Sequence, residues 1–516
     1  MINYRRLLPT IALAAAALMP LSAETPLHYR GELFGNAGSG QFAPYYIMSN
    51  NGGIVTQPKT AGLRLTTWKD LDLSKRFSYS FGIDVVENRA SSTDFMSYDT
   101  ITHAMRPHAE HPDREWLQQI YAEVKYRGVF LSAGKKERKS PLFNDRLGSG
   151  DFIQSNNARP LPQLRAGFVD FQNIPFTNGW VQIQGEIAFG KYAHDTWLRE
   201  HYNYRNEFIN LGTWSHYKRA YFRTKPSQPF SVTVGMQVAG QFGGTAYTYR
   251  NGKLIHTDAY DTKIKDFLRM LVPTSGEGGN IGDANYWYGN TLGSWDFVAR
   301  YRLKSGHELK AYFQWPYEDG SGIGKLNGFD GIWGLEYHSG NDNSIVSGAV
   351  IEYIDFTNQS GPIHWAPDDY PGTSLTQQAT GSDNYYNNFR YNAYQNYGMS
   401  QGSPFIPSLI YNTNGFMWIL DNRIRGFHAG VEGHIYKPLS YRALISYRRS
   451  WGSYFAPRTE IANATSVMLE GTYAFRQVPG LTVKGQVAID RGTLLGDNFG
   501  AMLSLSYNGL LNIFGK

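Results

Sequence analysis

Residues 77–85 read Phe-Ser-Tyr-Ser-Phe-Gly-Ile-Asp-Val, with an apolar or aromatic residue at every odd-numbered position and a small or polar one at every even-numbered position. Successive side chains of a β-strand point to opposite faces, so this alternation predicts a strand with one apolar and one polar face. A strand that crosses an outer membrane needs that arrangement, because one face meets lipid and the other meets the barrel lumen. The stretch therefore predicts a membrane-spanning β-strand.

The same alternation recurs along the chain, with turn residues such as Pro438 and the segment 477–480 between some of the runs. The clearest further runs are residues 180–190, 232–242, 427–435, 441–449, 467–475, 481–489 and 499–507. Counting all such runs predicts about 16 to 18 strands of roughly ten residues each. We therefore expect an all-β fold, a transmembrane antiparallel β-barrel of about 18 strands with long extracellular loops. The alternative is a soluble β-sandwich or propeller, since half-buried soluble sheets also alternate.

The N-terminus has the pattern of an export signal. Arg5 and Arg6 precede an apolar run over residues 7–18, and the small-residue pattern at 21–23 follows it. This order of charged, apolar and small regions predicts a cleaved signal peptide over residues 1–23. Residues 24–516 are then expected to form a single barrel domain in the outer membrane.

Composition excludes several classes of function. The chain has no cysteine, which removes thiolate metal sites, and its formal net charge of +6 is scattered rather than gathered into a nucleic-acid patch. It has 36 tyrosines and 55 glycines but a mean hydropathy of −0.42, which suits strands with a polar lumen face. No G-x-S-x-G, P-loop or G-x-G-x-x-G signature occurs in a suitable context, and Asp368 and Asp369 suit an exposed acidic turn. We predict no catalysis, no cofactor and no metal.

The longest interruption of the strand pattern runs from residue 356 to about 415 and is rich in Tyr, Asn, Gly and Pro. Rings next to amide groups suit carbohydrate, since sugars offer flat C–H surfaces and hydroxyl groups. The candidate polysaccharide-binding residues are Trp365, Tyr385, Tyr386, Phe389, Arg390, Tyr391, Tyr394 and Tyr397. The alternative is a compact loop in which the tyrosines pack on one another.

Two further segments interrupt the strands. Residues 260–272 have helical periodicity and predict a helix that covers or fills the lumen, or one that packs on a rim. A predicted loop over residues 87–113 holds His103, His108 and His111, but no metal-binding motif accompanies them, so we interpret them as solvent-exposed.

Five stretches of the chain form a set of motifs: Ser-Asn-Asn-Ala-Arg-Pro-Leu-Pro-Gln-Leu-Arg-Ala-Gly-Phe at 155–168, Ile-Pro-Phe at 174–176, the run 180–191, His-Tyr-Lys-Arg-Ala-Tyr-Phe-Arg at 216–223 and Gly-Gln-Phe-Gly-Gly at 240–244. Together they resemble the Wzi family of capsule-assembly outer-membrane proteins, and the resemblance extends over nearly all of residues 24–516.

The resemblance implies a monomeric barrel of about 18 strands that acts as a non-enzymatic surface lectin. Its partners would be capsular polysaccharide or exopolysaccharide and the outer-membrane lipid. It also implies a lumen closed by helices and folded-in loops, with a plugging role for residues 260–272. The alternative function is a passive or substrate-selective porin, with Lys484, Glu186 and Lys310 lining an aqueous path.

Overall fold

A computed structural model describes residues 26–260, 262–271, 289–318, 327–362, 364–365 and 379–511 of the chain. Eighteen antiparallel strands in these residues form one closed barrel, as the alternating pattern predicted. The predicted signal peptide, residues 1–23, lies outside the described residues.

The barrel strands follow one another in chain order around the wall. They are β1 Leu27–Ser39, β2 Thr60–Lys69, β3 Phe77–Ala90, β4 Glu115–Tyr126, β5 Val129–Lys135, β6 Pro162–Phe168, β7 Val181–Lys191, β8 Trp214–Thr224, β9 Phe230–Phe242, β10 Asn290–Arg302, β11 Glu308–Glu318, β12 Gly331–His338, β13 Gly348–Asp355, β14 Ile424–Tyr436, β15 Leu439–Gly452, β16 Pro457–Ala474, β17 Leu481–Arg491 and β18 Asn498–Leu511.

Pairing between the first and last strands closes the barrel and leaves no open edge. β1 pairs with β18 in antiparallel register from Leu27 opposite Leu511 to Ser39 opposite Phe499. The short piece Gln172–Asn173 continues the pairing of β6 along β7. Because every strand has two neighbours, the backbone hydrogen bonds of the wall are satisfied within the barrel, as a membrane-spanning sheet requires.

The two faces of the wall follow the sequence alternation. In β3, Ser78, Ser80 and Asp84 are buried on the lumen face, whereas Phe77 is 59% exposed on the outer face. In β7, Glu186 is buried toward the lumen and the adjacent Ile187 faces outward. The strand prediction for residues 77–85 is confirmed.

The barrel has one end of short turns and one end of long loops. Both described chain termini and the turns at Pro438 and 475–480 lie at the turn end. The opposite loop end carries L1 (40–59), L2 (91–114), L3 (136–161), L4 (192–213), L5 (243–289), L6 (319–330), L7 (356–423), L8 (453–456) and L9 (492–497). Outer-membrane barrels have short periplasmic turns and longer extracellular loops, which assigns the loop end to the cell exterior.

Among the loop residues that the structure describes, three short helices and several small sheets are present. The helices are α1 Tyr45–Met48 in L1, α2 Asp195–His201 in L4 and α3 Ile264–Leu271 in L5, and L7 adds a 3-10 turn at Leu409–Tyr411. Within the described residues, no helix has the length and apolar character needed to cross a membrane.

The small sheets correct one expectation. The segment predicted as a loop over residues 87–113 begins inside β3 and contains a hairpin, Thr93–Asp99 with Ala104–Glu110. A three-stranded sheet joins L4 to L5 through Asn206–Leu211, Gly244–Arg250 and Lys253–Tyr260. Two-residue pairings in L7 join His364–Trp365 to Ala379–Thr380 and Gln395–Asn396 to Met399–Ser400.

Helix α3 forms where the sequence predicts a helix, and of the two positions left open it takes the one outside the lumen, against the loop-end rim. The predicted plugging role required it to lie in the lumen, and instead its Phe267 packs on Phe189, Trp214 and Phe242, which face outward from the wall. The plugging role is therefore wrong for α3. The loops described below occupy the lumen in its place.

Candidate functional site

Loop L3 folds into the lumen and is fixed to the wall through Asp151. The buried Asp151 carboxylate accepts hydrogen bonds from Gln237 Nε2 at 3.0 Å and from Gln314 Nε2 at 3.1 Å, on β9 and β11. Gln314 also accepts a bond from the Phe152 amide at 2.6 Å. Polar residues on the lumen face of the wall thus satisfy the backbone and side chains of an inserted loop, as buried polar groups require.

Loop L7 packs directly on L3 through its tyrosines. The Tyr386 hydroxyl donates to the Phe152 carbonyl at 2.5 Å and accepts from the Ser403 amide at 2.8 Å. The Tyr394 hydroxyl donates to the Ile153 carbonyl at 2.9 Å. These bonds cross-link the two loops inside the barrel.

Loop L1 completes the packing from the side of the β1–β18 seam. Its Tyr46 hydroxyl lies 2.9 Å from Nδ1 of His428 on β14. The guanidinium of Arg448 on β15 is completely buried and stacks 3.7 Å from the centroid of the Tyr45 ring. A buried guanidinium on an aromatic face keeps part of its stabilisation without water.

The three loops and the wall share one hydrophobic core inside the barrel. It includes Phe42 of L1, Phe152 of L3 and Tyr385 and Phe405 of L7, all with exposures of 1% or less. We refer to these parts of L1, L3 and L7 as the plug. The plug fills part of the lumen toward the loop end with folded-in loops.

The structure separates the eight predicted polysaccharide-binding residues into three groups. Four of them are buried, which matches the alternative of a compact loop: Tyr385, Tyr386 and Tyr394 in the plug, and Tyr391, whose ring centroid lies 6.1 Å from that of Tyr260 in L5. Phe389 is 48% exposed, and Arg390 and Tyr397 are half-buried. The side chain of Trp365 lies outside the described residues. In this structure the four buried rings are not placed to meet a ligand.

Exposed Phe389 is one member of an aromatic group at the loop end. Its ring centroid lies 5.3 Å from that of Trp418 and 5.4 Å from that of Phe455, and the latter two are 6.1 Å apart. Phe455 is 45% exposed, while Trp418 is buried and its Nε1 has no hydrogen-bond partner among the described residues. We call Phe389, Trp418 and Phe455 the rim cluster.

Charged residues border the rim cluster. Next to Phe455, Tyr454 lies under the guanidinium of Arg423, at 4.1 Å from its ring centroid. Arg458 forms a bidentate contact with Asp421, with distances of 2.5 and 2.8 Å. The cluster therefore combines exposed ring faces with hydrogen-bonding groups, which is the pairing that carbohydrate recognition uses.

Sequence reasoning missed Trp418 and Phe455 because neither lies in the segment chosen as the aromatic loop. Phe455 is in L8, a turn of four residues between two long strands. An exposed aromatic side chain in a short loop-end turn is the signal that could have identified it.

A second candidate site is a basic cavity between L3 and the wall of β6 and β8. Lys136, Arg138, Arg159 and Arg165 line it together with Tyr217, whose ring lies 4.7 Å from the Arg165 guanidinium. Burial, reinforced by the adjacent Arg165 charge, lowers the pKa of Arg138 to about 10. Each of these cations also lies within 4 Å of a carboxylate, Lys136 and Arg138 near Glu123, Arg159 near Asp113 and Arg165 near Glu186, so the net charge around the cavity is small.

The three residues predicted to line a porin path face the lumen but differ in their surroundings. Glu186 pairs with Arg165 and, at 3.5 Å, with Arg219, whereas Lys310 pairs with Glu336 at 2.5 Å. Lys484 lies on the same face of β17 as buried Gln486. Glu186 and Lys310 are thus neutralised by neighbours on the wall.

The histidine-rich segment of L2 shows pairwise contacts. His108 Nε2 lies 2.9 Å from Glu110, and His201 of α2 lies 3.4 Å from the same carboxylate. Across the described part of the chain, no group of three or more His, Asp or Glu side chains is arranged to hold a metal ion. Asp368 and Asp369 lie outside the described residues.

Comparison with known proteins identifies structural relatives but no sequence relatives. No family model matches the chain, and no curated protein sequence matches it. Among solved structures, the chain is similar to Wzi of Escherichia coli, an outer-membrane protein involved in group 1 capsule assembly and described as a carbohydrate-binding β-barrel. That similarity has a TM-score of 0.53 at 11% identity and covers 97% of this chain and 87% of Wzi.

Two Pseudomonas aeruginosa proteins show weaker structural similarity to the chain. OccK3 has a TM-score of 0.45 at 12% identity, covering 95% of this chain and 96% of OccK3. OprD has a TM-score of 0.43 at 10% identity, covering 95% of this chain and 96% of OprD. Taken together with the closed sheet and the plug, the similarity to Wzi shows that this chain has the fold of a large, 18-stranded outer-membrane β-barrel.

Proposed function

We propose that this protein holds exported capsular polysaccharide or exopolysaccharide at the outer surface of the cell, as a monomer and without catalysis. The observation that carries the proposal is the combination of a plugged lumen with an exposed rim cluster at the loop end. A barrel built for free diffusion has no need to fill its lumen with three packed loops. A surface binder needs a rigid platform, and the plug supplies one beneath L7 and L8.

The rim cluster provides the contact surface in this proposal. The half-exposed rings of Phe389 and Phe455 stand on the buried indole of Trp418, which fixes their orientation. Such fixed rings lose little conformational entropy when a sugar ring stacks on them. Arg390, half-buried in the same loop, extends the surface with hydrogen-bond donors.

Each such site is expected to bind one or two sugar units weakly. A polysaccharide compensates because its repeating units rebind at high effective concentration once one unit is held. The salt dependence of binding reports the charge of the glycan, since attraction between Arg390 or Arg423 and acidic sugars weakens as salt screens it.

The test is binding of the detergent-solubilised protein to polysaccharide from its own source, with the Phe389→Ala/Phe455→Ala double variant. We expect the variant to weaken binding by about tenfold or more, equivalent to ~1.4 kcal/mol. The matched control is Phe230→Ala, which removes a similarly exposed phenylalanine at the turn end. Equal binding by the wild type and the double variant would remove the rim cluster from the proposal. No binding by the wild type would refute the polysaccharide function itself.

The cavity between L3 and the wall favours a second candidate function, a passive or substrate-selective channel, since it leaves space beside the plug. Its Lys136, Arg138 and Arg165 are paired with Glu123 and Glu186, so we expect weak ion selectivity. Reconstitution in a planar bilayer separates the two functions. Steady current from the wild type would favour the channel, whereas a closed barrel that binds glycan would favour the surface binder.

A further inference from the structure

Helix α3 lies on the outside of the barrel. The Phe267 ring fits between three aromatic rings of the wall, with centroids 5.2 Å from Phe189, 5.1 Å from Trp214 and 5.0 Å from Phe242. These residues belong to three adjacent strands, β7, β8 and β9. The helix therefore crosses several strands rather than following one.

The strand register shows that this contact is on the lipid side. In β7 Glu186 points to the lumen, where it pairs with Arg165, so the odd-numbered Phe189 points outward. In β8 Tyr217 points inward and bonds to Gln237, so the even-numbered Trp214 points outward.

Two further residues of the wall, Lys218 and Gly240, accommodate α3. Lys218, which faces outward on β8, donates from Nζ to the carbonyls of Met270 at 2.8 Å and of Leu271 at 2.7 Å, at the C-terminal end of the helix. On β9, a side chain at Gly240 would approach Met270, since a Cβ there would lie 2.3 Å from its Cε. An ammonium group at the helix C-terminus satisfies the last carbonyls and the helix dipole. This partner explains a lysine on a lipid-facing wall, where an unpaired charge is costly.

The length of β8 places α3 at the membrane boundary. A tilted barrel strand needs about 9–11 residues to cross the bilayer. β8 has 11 residues, begins at Trp214 and carries Lys218 near that beginning. The loop-end part of β8 that α3 covers is therefore at the outer leaflet rather than well above it.

The side of α3 that faces away from the barrel is amphipathic. At about 100° per residue, Ile264, Leu268 and Leu271 fall within an arc of about 60°, and Lys265 and Arg269 follow on the adjacent side. Ile264 is 82% exposed and Leu268 is 59% exposed. Apolar side chains of this size gain from burial when they enter the acyl region of a bilayer.

We propose that α3 is an in-plane helix seated in the outer leaflet, with Ile264 and Leu268 among the lipid acyl chains and Lys265 at the level of the headgroups. Its partner is the lipid of the membrane, since the helix continues the lipid-facing surface of β7–β9. The helix then fixes the depth of the loop end in the membrane. This inference is independent of the polysaccharide function.

The absence of cysteine from the sequence makes a direct test possible, because a single introduced cysteine is the one thiol to react. The Leu268→Cys variant is labelled with an environment-sensitive dye and reconstituted into vesicles of phosphatidylethanolamine and phosphatidylglycerol that contain a doxyl-labelled lipid. Leu335→Cys, on the outer wall, is the lipid-facing reference, and Ile101→Cys, 87% exposed at the tip of the L2 hairpin, is the water-facing reference.

We expect the label at residue 268 to show a blue-shifted emission and to lose intensity to the doxyl lipid, as the label at 335 does. A label at Lys265→Cys is expected to be quenched by aqueous iodide instead. The proposal is overturned if the label at 268 behaves like the one at 101, or if the label at 265 is shielded from iodide as completely as the one at 335. The barrel wall supplies the reference at 335, so loss of folding is visible in that label.

Discussion

The Tyr386→Phe substitution tests the plug with the removal of one oxygen atom. The Tyr386 hydroxyl serves two buried loop segments at once, because it donates to the Phe152 carbonyl of L3 and accepts from the Ser403 amide of L7. Phenylalanine preserves the ring packing on Phe152, whose centroid is 4.9 Å away, and removes both hydrogen bonds. The variant therefore isolates the polar link between the loops.

The expected magnitude follows from the two backbone groups that lose their partner. Each buried group left unsatisfied costs about 1–3 kcal/mol. We take about 3 kcal/mol for the pair, which shifts the equilibrium between the closed and the open plug roughly a hundredfold toward the open form. The barrel wall contains neither group, so its thermal stability should be unchanged.

The assay is conductance in a planar bilayer. The wild type is expected to remain closed for most of the recording, and Tyr386→Phe to show opening bursts at a frequency raised by that factor. Tyr441→Phe is the matched control, since its hydroxyl donates to the Ile345 carbonyl at 2.8 Å in a turn at the opposite end. If Tyr386→Phe and Tyr441→Phe give traces as quiet as the wild type, the two hydrogen bonds do not hold the plug and this reasoning is refuted.

Three further predictions concern the loops. Burial raises the pKa of Glu207 in L4 to about 8, so the folded loop holds this proton more tightly than the unfolded chain, and loop stability should fall as pH rises from about 4.5 through about 8. Hydrogen exchange of residues 206–211 should show this loss in the wild type and not in Glu207→Gln. Lys218→Met should leave two helix carbonyls without their donor and increase protease cleavage at α3, with an unchanged barrel. Asp151→Ala should detach L3 from β9 and β11 and raise the basal conductance, while Asp99→Ala, in the exposed L2 hairpin, should not.

The barrel could be predicted from sequence because each strand carries its own alternating pattern within a few consecutive residues. A strand such as β3 shows its two environments in nine consecutive residues, 77–85, and the pattern needs no knowledge of any other strand. Turn positions such as Pro438 carry equally local signals. The number of strands follows from counting such runs.

The placement of the loops could not be predicted in the same way. Tyr386 and Tyr394 find their partners in L3, more than 200 residues away in the sequence, and tyrosine beside asparagine suits both a sugar-binding surface and a packed interior. The sequence predicted helix α3, but it could not show whether the helix lies in the lumen or on the outer wall. The contact that decides this is with Phe189, and an outward-facing phenylalanine in a strand is also what lipid contact alone would produce. Lys218 was the available signal, since a lysine at an outward position needs a partner.

The long sequence separations inside the plug also determine the order in which the protein can assemble. The amide of Tyr45 in L1 donates to Asp490 of β17 at 2.9 Å, across 445 residues, and this contact needs the last strands to be beside the first. Contacts between such distant residues form late, because the cost of closing the intervening chain comes first. Closure of the wall is subject to the same constraint, because β1 pairs with β18 across an even longer separation, from Leu27 opposite Leu511 to Ser39 opposite Phe499. Docking of L1 and closure of the barrel therefore both depend on the last strands of the chain.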